Sequence, residues 1–82
     1  MQHSTITAHE ISHEDWGLLA EAARNPRGDV SARVAGGGIT SDDERRCWRL
    51  SGLECDGLLY QANMSGPIMI WRLTTEARAL IG

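Results

Sequence analysis

The chain has 82 residues, with eight arginines, no lysine, eleven acidic side chains and a formal net charge of −3. That length allows one small domain, with a modest core and little room for a deep pocket. The acidic balance, with a pI near 5.5, excludes a basic coat that grips phosphates over the whole surface.

A hydrophobic content of 41% and a mean hydropathy of −0.30 fit a folded soluble domain rather than a disordered tail. The longest apolar run, Ile68 to Trp71, is far short of the ~20 residues that a membrane span needs. Met1 to Thr5 lacks a basic region followed by an apolar stretch, so no secretion signal is expected. Cys47 and Cys55 fall within one predicted helix, with Cα atoms about 12 Å apart at the helical rise. That is too far for a disulfide. Free thiols used for packing, with no signal, point to a reducing cytoplasm.

In chain order, residues 1–11 are polar with isolated apolar positions and read as a flexible lead-in or a short strand. Residues 12–82 read as one domain. Ser12 opens the first helix: its hydroxyl can cap the Asp15 N–H, and Asp15 can reach back in a shortened capping box. Ile11 and Trp16 sit at the spacing of a hydrophobic staple, and Glu14 and Asp15 favour the positive end of the helix dipole. Trp16, Leu19, Ala20 and Ala23 share a face, and Asn25-Pro26-Arg27-Gly28 ends the helix.

Residues 30–40 admit two readings. Val30, Ala32 and Val34 alternate with Ser31, Arg33 and Ala35, and Gly36-Gly37-Gly38 can turn a β-hairpin back through Ile39-Thr40. A short helix over 31–35, ended by the glycines, competes with it. The β-branched valines favour the hairpin.

Ser41-Asp42-Asp43-Glu44 spells a capping box with three acids in the first turn. A helix is expected from Asp42 to Asp56, stopped by Gly57, with Leu50, Leu53 and Cys47 on its buried side. Arg45, Arg49, Gly52 and Asp56 line the other side. Leu58 to Gln61 and Ile68 to Arg72 read as two strands around an Asn63–Pro67 loop. Thr74 or Thr75 caps a final short helix with Leu73, Ala77, Leu80 and Ile81 on one stripe.

This order of elements resembles a winged-helix domain. Ile11-Ser12-His13-Glu14-Asp15-Trp16-Gly17-Leu18-Leu19 resembles the entry to the first helix of MarR-type regulators. Leu53-Glu54-Cys55-Asp56-Gly57-Leu58-Leu59 is similar to the end of their recognition helix running into the wing. Trp71 to Ile81 resembles their exit phrase L-T-x-x-G-R-x-L-L, with Ala77 where glycine is usual. The expected fold is therefore α+β, a small winged-helix domain of helix, β-hairpin, helix, two-stranded wing and short C-terminal helix. The family pattern implies a further helix before the capped one, where this sequence is glycine-rich. It also implies a basic wing, where Gln61 to Ile70 carries no charge.

The resemblance makes residues 42–56 the candidate recognition helix, which in such families enters the DNA major groove. Arg45, Arg46 and Arg49 are the candidate DNA contacts, to guanine edges or phosphates. The same helix begins with Asp42, Asp43 and Glu44, which disfavour phosphate and suit a protein partner; an Asp42–Arg46 pair on the helix surface is a third possibility. In the wing, Tyr60, Met64, Met69 and Trp71 offer apolar surface of which only half can face the core. The other half is expected to cover a neighbouring element or to form a protein interface or a homodimer seam.

Other motifs are incidental. His9-Glu10-Ile11-Ser12-His13 matches a zinc-protease signature, but Ser12 as helix cap leaves His9 outside the helix that must align both histidines. Arg27-Gly28-Asp29 and Asn63-Met64-Ser65 match motifs that act outside the cell and read here as turn chemistry. No catalytic constellation, cofactor loop or metal site is recognisable, so an enzyme is not expected. Two functions remain: a DNA-binding regulator acting as a dimer, or a winged-helix module that binds protein. An accessory or inhibitor protein of a phage or mobile element, of the anti-CRISPR kind, is an example of the second.

Overall fold

Ile11 is the first residue that the computed structural model describes, and it is already part of the core; the described residues are 11–81. Ser12 caps α1 (His13–Arg24), its Oγ accepting the Asp15 N–H at 3.1 Å. Beyond Asn25, Gly28 adopts a φ of +75°, which a side chain would disfavour, and the chain enters β1 (Asp29–Arg33).

β1 does not turn back on itself. It pairs antiparallel with a strand far along the chain, and residues 35–40 form turns and irregular loop rather than a return strand. The expected hairpin is corrected here. Val30 and Ala32 find cross-strand partners in Trp71 and Met69, which bury them, whereas Ile39-Thr40 offers too few apolar contacts to compete. Among the described residues, no helix stands in this stretch either.

The cap of α2 (Ser41–Cys55) is Thr40, not Ser41. Thr40 Oγ1 accepts the Asp43 N–H at 3.1 Å, and Asp43 Oδ2 accepts the Thr40 N–H at 3.0 Å. The S-x-x-E phrase loses to T-x-x-D because the extended backbone of Thr40 places both groups in reach. Gly57, at φ +81°, lets the chain leave the helix. There follow β2 (Leu59–Ser65), a tight turn at Gly66-Pro67, and β3 (Ile68–Leu73), so the predicted five-residue loop is mostly strand. A bulge at Ala62 shifts the register between β2 and β3. Thr74 caps α3 (Thr75–Ile81) through its Oγ1 to the Ala77 N–H, at 3.1 Å.

The sheet order is β1-β3-β2, all antiparallel, with β3 central. Among the described residues this is an α+β arrangement of three helices on a three-stranded sheet. Leu19 and Ala22 from α1, Leu50 and Leu53 from α2, Ala77 from α3 and Trp71 and Leu73 from β3 make one core. Trp71 is 0% exposed, and its indole N–H donates to Glu54 at 2.8 Å, which satisfies the one polar atom that burial would strand.

Candidate functional site

α2 has three environments around its circumference. Leu50 and Leu53 face the core, with Cys47 half-buried beside them. The flank beside α1 carries the three arginines expected to meet DNA, and all three are engaged within the fold. Arg45 holds Glu14 with two hydrogen bonds, Nε at 2.8 Å and Nη2 at 2.7 Å. Arg49 lies 3.2 Å from the same carboxylate and 3.8 Å from Asp15. Arg46 pairs with Glu21 through both terminal nitrogens, while its Nε donates to the Ser31 carbonyl at 2.6 Å. Its partner is therefore Glu21 rather than Asp42, because the guanidinium leans inward over α1 and β1.

These contacts leave an electrostatic signature. The hydrogen bond from Arg45 holds the Glu14 carboxyl below its ordinary 4.5, and the one from Arg46 does the same for Glu21. Arg72 and Asp29 form a similar pair across β3 and β1, at 2.6 Å, which lowers the Asp29 pKa from 3.8. Asp43 is lowered chiefly by the Thr40 N–H that it accepts, so it serves the cap. Asp42 and Glu44 remain exposed at the start of α2.

The third environment is the face turned away from the core. Trp48 stands there at 78% exposure, the most exposed large apolar side chain among the described residues. Its helical neighbours at three, four and seven residues are Ser41, Glu44, Arg45, Ser51, Gly52 and Cys55, and every one is exposed. Four of the six are small, and the indole stays exposed among the described residues. A Cβ added at Gly52 would meet nothing within 4 Å. Cys55 is an exposed thiol rather than the packing residue expected, because it falls on this outer face.

The wing residues divide between the two sides of the sheet. Trp71, expected at an interface, lies wholly in the core, and Met69 is half-buried against it. Both project from the inner face of β3, where the helices pack. Tyr60 at 45% and Met64 at 50% exposure are the accessible pair, on β2. His13 begins α1, while His9 and Glu10 of the zinc-like phrase lie outside the described residues. A shallow recess of about 180 Å³ lies between Ala23, Leu73, Arg78 and Ile81, smaller than the clefts that bind drug-sized ligands.

Trp48 was not among the expected site residues, yet the helical period alone places it. Leu50 and Leu53 fix the buried side, and a residue two positions before Leu50 lies some 200° around the helix. No family model, curated protein or solved structure matches the chain.

Proposed function

We propose that this chain is a winged-helix module that binds a protein partner through the outward face of α2, with Trp48 as its anchor. The observation that carries this reading is the split in α2: its arginines are bound to α1 carboxylates while a tryptophan stands bare on the face that would enter a groove. Exposed tryptophans that fill a pocket are among the commonest hot spots of protein interfaces. The helix-strand-helix-hairpin-helix order and the β1-β3-β2 sheet support the winged-helix part of the proposal. The partner's chemistry follows from the face: an apolar cleft for the indole, with basic groups beside it to meet Asp42 and Glu44.

The DNA-binding reading would need Arg45, Arg46 and Arg49 to leave Glu14, Asp15 and Glu21 for phosphates. The exchange offers little gain, because each arginine gives up a charged partner to acquire another. A salt-titrated binding assay on duplex DNA beside affinity capture separates the two. The wild type should show no DNA binding even at about 50 mM salt, where phosphate attraction is strong. A captured partner should be lost with Trp48→Ala, a drop of about 30-fold or more in affinity, and kept with Arg49→Ala. Low-salt DNA binding that Arg45→Ala and Arg49→Ala abolish would establish the regulator reading instead.

A further inference from the structure

The two edges of the sheet are treated differently. On β1, the edge carbonyl of Ser31 is taken by the Arg46 Nε, and α2 reaches over the strand. On β2, no other strand pairs with the edge among the described residues, and the one charged side chain that reaches the strand is Arg72 of β3, at Tyr60. Tyr60, Gln61, Asn63, Met64 and Ser65 are all exposed, and no ionisable charge occurs from Gly57 to Trp71 apart from the tyrosine hydroxyl. The Met64 N–H donates to the neighbouring Asn63 Oδ1 at 2.8 Å, a local contact that one side-chain rotation releases. Soluble proteins ordinarily guard such an edge with lysine, proline or an inward charge. Here the guard is limited to the bulge at Ala62.

From this we infer that β2 is the dimer seam, pairing antiparallel with β2 of a second copy to make one continuous six-stranded sheet. The choice of a second copy rests on charge. A chain of net charge −3 carries a net repulsion toward its own copies, and β2 is a strand with no charged residue of its own from Leu59 to Ser65. The flanking side chains fit the same occupant. Tyr60 lies opposite Arg72 on the outer side of the sheet, and Met64 lies opposite Met69 on the helix side. A two-fold seam along β2 therefore has an exposed apolar group on each of its sides, ready to pack across it. This surface is distinct from the Trp48 face of α2 and does not depend on the partner proposed for it.

Sedimentation equilibrium of the full chain over a dilution series tests the seam. The wild type should move from 9.0 kDa to twice that mass as concentration rises. Gln61→Lys, an exposed position near the middle of β2, should hold the chain at single mass while melting like the wild type. Mixing Gln61→Lys with Gln61→Glu should restore the doubled mass, since opposite charges then meet across the seam. If a Gln61 variant fails to fold, Met64→Lys, on the same helix side of β2, reads the seam at a second position. Trp48→Ala should leave the doubled mass unchanged. A wild type that stays single at every concentration, or a doubled mass that survives Gln61→Lys or Met64→Lys, overturns the inference. So does a dimer lost with Trp48→Ala, which would move the seam to α2.

Discussion

The flank of α2 beside α1 and the face turned away from the core have opposite relations to the rest of the molecule. On the flank, Arg45, Arg46 and Arg49 each find a carboxylate, and Arg46 finds a backbone carbonyl as well. On the outer face, Trp48 stands 78% exposed among the described residues, beside Ser51, Gly52 and Cys55. A count of arginines on a helix is therefore a poor guide to what the helix can grip. Availability depends on which carboxylates the fold brings alongside, and α1 supplies three of them within reach. The groups left over are what a partner meets.

The sharpest way to break this contrast is Arg46→Met. Removing the guanidinium leaves Glu21 and the Ser31 carbonyl without their donor, and a loss of about 1–2 kcal/mol is expected, moderated by partial exposure. It should appear as a lower urea midpoint with an unchanged slope, while Trp48-dependent capture persists. A change under about 0.5 kcal/mol would mean that the flank is not structural.

Gly52→Ala addresses the outer face. Mid-helix glycine costs about 0.5–1 kcal/mol against alanine, and the added Cβ meets nothing, so the variant should melt higher. The same methyl should weaken capture if a partner lies close over this turn. Equal capture by both proteins would place the contact on Trp48 alone.

The smallest effect is in pH. Glu14, Glu21 and Asp29 all have depressed pKa values through their arginine hydrogen bonds. For groups lowered on folding, the stabilisation is complete above the unfolded pKa and is lost as pH falls through the folded one. The urea midpoint should therefore hold level from neutral pH down to about 5 and then fall. Glu14→Gln should flatten part of that fall. An unchanged acid limb would show that the Arg45 pair adds nothing to the flank.

Much of the fold was legible because caps and periodicity are local. Ser12, Gly57 and Thr74 act as their sequence contexts require, and the alternation through Val30 and Ala32 correctly marks a strand. What was not legible is where that strand pairs. Three glycines after a strand suit a hairpin, but the register is decided by Trp71 and Met69, some 40 residues away. The site shows the same division. The exposure of Trp48 is contained in the spacing of Leu50 and Leu53, whereas the engagement of the arginines requires knowing that α1 lies beside α2. Trp71 was misplaced because strand alternation leaves open which of two apolar faces is buried, and the helices that decide it come from elsewhere in the chain.

The Arg46 guanidinium on the Ser31 carbonyl has a consequence for growth. A sheet open at both edges can add copies without end, and chains that do so make fibres. With the Ser31 carbonyl of β1 taken by Arg46, addition of copies through β2, as inferred above, would end at the first one. Breaking the Arg46 contact would then do more than loosen a domain. It would free the edge of β1, through which the inferred pair could go on adding copies.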